Sequence, residues 1–158
     1  MTFKEFLEDV NTEKYIYLDK LEENENGLVI DIMGTTASAL NEQDIESTAE
    51  EFGEDVAELV KNSSSIDPNE HRRWRLVFET YISYAVINES YDNGDRGTRD
   101  DHNCVCTATD SDWLDYVKKS TFAFQIINGI RHYQIRCLDH IINVAADEPP
   151  FIDNIQLN

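Results

Sequence analysis

The longest strand-like stretch of the chain reads RWRLVFETYISYAVIN and covers residues 73–88. Apolar side chains recur at alternate positions over much of it, which is the period of a strand with one buried face. At about 3.3 Å per residue a straight strand of this length would span roughly 50 Å, so we predict a bulge or bend near Thr80 or Ser83. The predicted inner face comprises Trp74, Leu76, Phe78, Ile82, Tyr84 and Val86.

Two patterns precede this stretch. Thr2 and Glu5 have the spacing of a capping box, which predicts a short amphipathic helix over residues 2–10. Residues 14–20 and 28–33 are short runs rich in Tyr, Ile and Val, separated by a polar loop. They predict a β-hairpin whose loop is longer than two residues.

The patterns that follow residue 88 also alternate between strands and helices. Asn128-Gly129 is a turn signal between two apolar runs, and it predicts a tight hairpin. Asp110 or Ser111 can cap a short helix that carries Trp113, Leu114 and Val117. The predicted elements are a polar loop over 90–102, a strand over 103–108, this helix, and two hairpin strands over 121–127 and 130–144.

The clearest helical pattern in the chain spans Asn41 to Lys61. Its apolar positions step by three or four residues, as one face of a helix does, and they are Ile45, Ala49, Phe52, Val56, Leu59 and Val60. Gly53 interrupts the middle at a cost of about 1 kcal/mol relative to alanine. We therefore expect a kink there or two shorter helices.

The elements together predict an α+β fold. Helices would pack on a largely antiparallel β-sheet of about five or six strands. The chain has 158 residues and is 41% hydrophobic, which suits one core, so we predict a single domain over residues 1–158. It divides into an acidic front half, residues 1–70, and a β-rich back half, residues 71–158.

The chain is strongly acidic. It holds 32 Asp and Glu against 13 Lys and Arg, giving a formal net charge of −19. Residues 1–70 hold 19 of the acidic residues and 4 of the basic ones. Phosphate backbones are repelled by such a field, so direct nucleic-acid binding is not expected. The basic cluster at Arg72, Arg73 and Arg75 is expected to pair internally with the acidic helix.

The N-terminal segment and the cysteine count favour a reducing cellular compartment. The N-terminal segment lacks the apolar core of a secretion signal, and no apolar run is long enough to cross a membrane. Three cysteines cannot all pair within one chain, and their number is far below that of a disulfide scaffold. We expect a cytoplasmic protein without membrane attachment.

The acidic side of the 41–61 helix is the main candidate for a partner-binding surface. Charge complementarity speeds association and selects partners, so such a face is suited to a basic protein. In charge and fold class the chain is similar to small acidic inhibitors such as toxin-immunity proteins, although no family motif matches. A solvated face that only maintains solubility is the simpler alternative. The predicted partner-binding residues are Glu42, Asp44, Glu46, Glu50, Glu51, Glu54, Asp55 and Glu58.

A small enzyme or metal-binding protein is the second hypothesis. Thiolates and imidazoles bind zinc, and the weak candidate set is His102, Cys104, Cys106, Cys137 and His140. Its spacing is not that of a zinc finger, and buried packing thiols are the simpler explanation. No nucleotide-binding, nucleophile-elbow or zinc-protease motif occurs, so we predict neither a catalytic residue nor a cofactor.

A structural subunit of a homo-oligomer is the third hypothesis. Aromatic side chains are enriched at protein interfaces because they combine a large apolar surface with a polar group. The tyrosines of the strand-rich half would form such an interface, and they are Tyr81, Tyr84, Tyr91 and Tyr133.

Overall fold

The structure is a computed structural model that describes residues 1–39, 42–53, 55–56 and 64–155. The helices are α1 (Phe3–Val10), α2 (Glu42–Phe52), α3 (Asp112–Ser120) and α4 (Ala123–Ile126), with one 3₁₀ turn at Glu89–Tyr91. The strands are β1 (Tyr17–Asn24), β2 (Gly27–Ala39), β3 (Ser64–Phe78), β4 (Ser83–Asn88), β5 (Val105–Ala108), β6 (Arg131–Arg136), β7 (His140–Ala146) and β8 (Phe151–Asn154).

The predicted α+β class with antiparallel pairing is confirmed. The described strands form two four-stranded sheets rather than one sheet of five or six strands. Sheet A has the order β1-β2-β3-β8, and sheet B has the order β4-β7-β6-β5. All pairs are antiparallel. No helix within the described residues is long and apolar enough to cross a membrane.

The stretch from 73 to 88 divides where the chain passes from sheet A to sheet B. β3 ends at Phe78 and β4 begins at Ser83, which confirms the predicted bend. The Ile82 N–H donates to the carbonyl of Ala145, 2.8 Å away, and so begins pairing with sheet B. The predicted inner face is confirmed in β3 but not beyond the bend. Ile82 packs against the α3 cluster, Tyr84 packs against the shared core, and Val86 is exposed.

Two hairpin predictions need correction. Asn24 pairs directly with Gly27, so the β1–β2 loop has two residues rather than more. Residues 121–127 contain the short helix α4 instead of a strand, and the Ala123 N–H at its start donates to the Thr121 hydroxyl at 3.3 Å. The second hairpin instead joins β6 to β7, and its turn closes where the Cys137 N–H donates to the His140 carbonyl at 2.7 Å.

Helix α1 covers the core that the two sheets share. Thr2 and Glu5 form the predicted capping box at its start. The buried cluster joins Phe6 of α1 to Trp74 in sheet A and Ile135 in sheet B. A smaller cluster holds α3 against β7 through Leu114, Val117 and Ala145. Ser111 caps α3 as predicted, because its hydroxyl accepts from the Leu114 N–H.

Helix α2 belongs to neither cluster. It ends at Phe52, and Gly53 adopts a φ of 92°, which confirms the predicted interruption. The predicted apolar face is only partly covered: Ile45 and Ala49 are half-buried, whereas Phe52 is 63% exposed. The remaining members of that face from residue 57 onward lie outside the described residues.

Candidate functional site

The predicted acidic surface lies on α2 and just beyond it. Four of its members are exposed: Glu46, Glu50, Glu51 and Asp55. Glu42 and Asp44 belong to the first turn of α2. Glu54 and Glu58 lie outside the described residues. We call the four exposed members the α2 carboxylates.

The arginines of β3 pair with other acids. Arg75 lies opposite Asp31 in the β2–β3 register, and its guanidinium donates twice to that carboxylate at 2.7 Å. Arg72 pairs with Asp9 of α1 at 3.2 Å, and Arg73 pairs with Asp19 of β1. The predicted internal pairing is therefore confirmed, but the expected partner was wrong. Strand register and the position of α1 select the partners, and α2 is not among them.

The α2 carboxylates remain without such neutralisation. No lysine, arginine or histidine nitrogen of the described residues lies within 4.0 Å of them. Near α3, by contrast, Arg96 bridges Asp112 and Asp115 at 3.2 Å. The exposed Phe52 belongs to the same helix as the carboxylates. The α2 carboxylates and the exposed Phe52 of the same helix are thus both presented to solvent.

The three cysteines are buried packing residues. Burial raises the pKa of Cys106 to about 11 and that of Cys137 to about 12, and it also raises the pKa of Cys104. A thiol nucleophile needs its thiolate, which a nearby cation or base favours. These thiols stay protonated at neutral pH, so their environment is the opposite of the one that activates a catalytic cysteine.

The structure brings only part of the candidate zinc set together. His102, Cys104 and Cys137 line one cavity of about 270 Å³, and Cys106 and His140 do not. The Cys104 thiol donates to the Glu13 carbonyl at 3.4 Å. Within the described residues no three His, Cys, Asp or Glu side chains are grouped so that they could hold a metal ion. The cavity therefore supplies no argument for metal chemistry.

The tyrosines proposed for an oligomer interface do not form one surface. Tyr133 is buried in the shared core, where its ring packs edge-on against Phe78. Tyr81 and Tyr84 are half-buried and pack on each other. Tyr91 is 84% exposed. An interface built from all four would require Tyr133 to leave the core.

A buried polar network on sheet B was not predicted. His132 and Gln134 of β6 and Asn143 of β7 are all buried on the face opposite the shared core. Helix α3 and the 92–103 loop cover this face: the Ser111 hydroxyl lies 3.1 Å from His132 Nδ1, and the Thr98 hydroxyl donates to Gln134 Oε1. The alternation of His132, Gln134 and Arg136 along β6 is the signal that could have revealed it.

The donors of Arg136 set the orientation of the whole network. Arg136 Nε must donate, so the Gln134 atom 2.8 Å away is its oxygen. The Gln134 amide nitrogen then donates to Asn143 Oδ1 at 2.9 Å. His132 Nε2 lies 2.8 Å from the same oxygen and must carry a proton. The desolvation of His132 lowers its pKa, so the ring is neutral and Nδ1 accepts from Ser111.

We expect the burial of His132 in this network to make the stability of the protein depend on pH. In the unfolded state His132 becomes protonated as the pH falls below its ordinary pKa of 6.5, whereas in the folded state it is protonated only at a lower pH. Between these two pKa values the unfolded state therefore holds more protons than the folded state. The free energy of unfolding should therefore fall as the pH drops through 6.5 and level off below the folded pKa. Urea unfolding between pH 8 and 5 measures this slope.

Two variants isolate the contribution of His132. His132→Gln should be less stable than the unmodified protein at pH 8, but the step near pH 6.5 should be missing. His102→Gln is the matched control, because His102 is exposed and its replacement should leave the step in place. Parallel pH profiles for His132→Gln and the unmodified protein would contradict the assignment of a neutral buried ring.

A groove of about 330 Å³ opens above the network. Its walls include Tyr91, Trp113 and Tyr116, and Asn143 lies in its floor. The Trp113 and Tyr116 rings are stacked, with centroids 5.4 Å apart. Asp92, Asp95 and Asp112 also line the groove, whereas none of the lysines and arginines in the described part of the chain does. It combines aromatic surface with negative charge.

Comparison of the chain with protein-family models, with curated proteins and with solved structures found no match. Two of the described surfaces carry chemistry suited to recognition: the α2 carboxylates with the exposed Phe52, and the aromatic groove beside α3.

Proposed function

We propose that the protein is an acidic binding module that docks a basic protein through the α2 carboxylates, as an inhibitor or immunity-type protein would. The observation that carries this proposal is the distribution of ion pairs. Arg72, Arg73 and Arg75 form ion pairs with acids of α1, β1 and β2, whereas the exposed α2 carboxylates have no cation beside them in the described residues.

Elementary electrostatics favours a positively charged partner for such a surface. Exposed charges act over about 8 Å at physiological ionic strength, and a dense patch of one sign speeds the encounter with the opposite sign. Charges alone contribute little affinity, and stable interfaces add buried apolar or aromatic contacts. Phe52 lies on the apolar side of the same helix and is 63% exposed, so it supplies such a contact where the partner also reaches that side.

The test is a charge reversal of the α2 carboxylates. Glu46, Glu50, Glu51 and Asp55 are changed together to lysine, which shifts the net charge by eight units. A basic partner is first captured on the unmodified protein, eluted with a salt gradient and purified. Stopped-flow association at low salt should then be 10- to 1,000-fold slower for the variant, because steering of this size is typical of charged interfaces.

A matched control separates the α2 surface from net charge. Glu25, Glu79, Asp100 and Glu148 are exposed acids outside α2, and their reversal shifts the net charge by the same eight units. We expect this control to associate within about threefold of the unmodified protein. Equal slowing of the two variants, or binding that does not change with salt, would contradict the proposal.

A further inference from the structure

We propose that the groove beside α3 binds an arginine side chain of an extended basic segment. The inference rests on the proposed function in taking the partner to be a basic protein, and it places a second contact away from α2. Three features of the groove carry it: an unused amide donor, a free carboxylate and exposed aromatic rings.

The amide donor belongs to Asn143. This side chain is 4% exposed, and its Oδ1 accepts from Gln134 and His132. The orientation is forced by Arg136, as shown above, so Nδ2 is turned away from that pair. Nδ2 has no hydrogen-bond partner among the described residues, and Asn143 lines the groove. Because Nδ2 is not fully buried, it can donate to an acceptor that enters the groove, such as a peptide carbonyl.

The free carboxylate belongs to Asp92. Of the three carboxylates in the lining, Asp95 accepts backbone N–H groups, including that of Trp113 at 2.8 Å. Asp112 pairs with Arg96 at 3.2 Å. Asp92 has neither an ion pair nor a side-chain hydrogen bond within the part of the chain that the structure describes. It is therefore available for a cation that enters the groove.

The aromatic rings favour a planar cation. Tyr91 is 84% exposed and Tyr116 is 57% exposed, and the Tyr116 ring is stacked with that of Trp113. A guanidinium stacks on such rings and donates two parallel hydrogen bonds to a carboxylate, which an ammonium cannot do. In the groove it would lie against the aromatic wall and donate to Asp92, while a neighbouring peptide carbonyl accepts from Asn143.

The probe is N-acetyl-arginine amide, titrated into ¹⁵N-labelled protein and followed by NMR. The side-chain amide of Asn143 and the indole N–H of Trp113 should shift in a saturable way. N-acetyl-citrulline amide has nearly the same shape without the charge and should bind at least tenfold more weakly. N-acetyl-lysine amide should also bind more weakly than the arginine compound, because it lacks the planar fork.

Variants place the binding in the groove. Asp92→Asn and Tyr116→Ala should each weaken arginine binding about tenfold, since one removes the charge and the other the stacking surface. Both residues are exposed, so the fold should be unaffected. The variant with reversed α2 carboxylates should bind the probe as the unmodified protein does. Slower partner association of this α2 variant would then report on the α2 carboxylates and not on the groove.

The outcomes separate the two proposals. Saturable arginine shifts at Asn143 that are lost in Asp92→Asn support the groove, whatever the α2 variant does to partner association. Absence of shifts, or equal shifts with citrulline, would overturn the groove assignment and leave the α2 proposal standing. Arginine binding that disappears in the α2 variant but persists in Asp92→Asn would place the site on α2 instead and overturn the inference.

Discussion

Replacement of Trp74 by alanine is expected to lower the free energy of unfolding by about 4 kcal/mol, as for other large buried aromatic side chains. Trp74 is 1% exposed and lies where α1 meets sheet A. Its ring packs edge-on against Phe6 with centroids 6.3 Å apart, and its indole N–H donates to Asp9 Oδ2 at 2.9 Å. The Arg72 guanidinium covers the ring from outside at 4.9 Å. The substitution leaves a cavity and removes one of the donors to the Asp9 carboxylate, which keeps its ion pair with Arg72.

Urea unfolding of matched variants measures this effect. Phe52→Ala removes an aromatic ring of similar chemistry from an exposed position and should change the stability by less than about 0.5 kcal/mol. Trp74→Phe keeps most of the packing and loses the indole hydrogen bond, so about 1 to 2 kcal/mol should be lost. A loss below about 1 kcal/mol for Trp74→Ala would contradict the position assigned to this side chain in the core.

Replacement of Gly27 by alanine should cost at least about 3 kcal/mol, since strain and steric overlap add together. Gly27 follows the two-residue turn between β1 and β2 with a φ of 109°, which favours glycine. A Cβ there would overlap the carbonyl oxygen of Phe78 and lie 2.9 Å from the Cα of Glu79. Both atoms belong to the backbone of the neighbouring chain segment, so the clash is relieved only by opening the Leu28–Phe78 pair.

Gly129→Ala is the control for backbone strain alone. Gly129 also has a positive φ, 80°, but among the described residues no atom beyond its chain neighbours lies within 4 Å of its would-be Cβ. Its substitution should cost only about 1 to 2 kcal/mol. Thermal or urea unfolding measures the loss of stability in each variant. The difference between the two losses is the contribution of the steric clash at Gly27. Equal losses would show that the close approach of β3 to the turn is not a constraint.

The variants of the core and those of the two candidate surfaces affect different parts of the protein. Trp74 and Gly27 act on stability through sheet A, whereas the groove is built on the outer face of sheet B. Variants of Asp92 or of the α2 carboxylates change exposed side chains. Loss of binding in those variants is therefore distinguishable from loss of folding by a single measurement of unfolding.

Local patterns were sufficient for the elements whose signals are short-range. The Thr2–Glu5 capping box, the Ser111 cap and the alternation through Trp74, Leu76 and Phe78 all follow from neighbours a few residues apart. The excess of acidic residues and its concentration before residue 70 are likewise properties of the sequence itself. These features determined the α+β class and the acidic character of the candidate surface.

The Asn128-Gly129 signal shows where local patterns failed. A turn dipeptide predicts a hairpin only when both flanking segments have a strand to pair with. Residues 121–127 instead contain α4, and β6 pairs with β7 through a turn at 137–139 that has no such dipeptide. Tertiary contacts, including the Leu138 N–H donating to the Ile16 carbonyl at 2.8 Å, decide the position of that turn.

The sequence by itself thus determined the class of fold, most of the individual elements and the net charge. Only the tertiary structure decided that the strands divide into two sheets at residues 79–82, and which acids are neutralised. Arg72 and Asp9 are 63 residues apart, and Asn143 meets a groove whose walls come from β4, α3 and the 91–95 loop. The periodicity of the sequence indicates which residues lie on the same face of a helix or strand. The partner that a side chain meets depends on how distant segments pack.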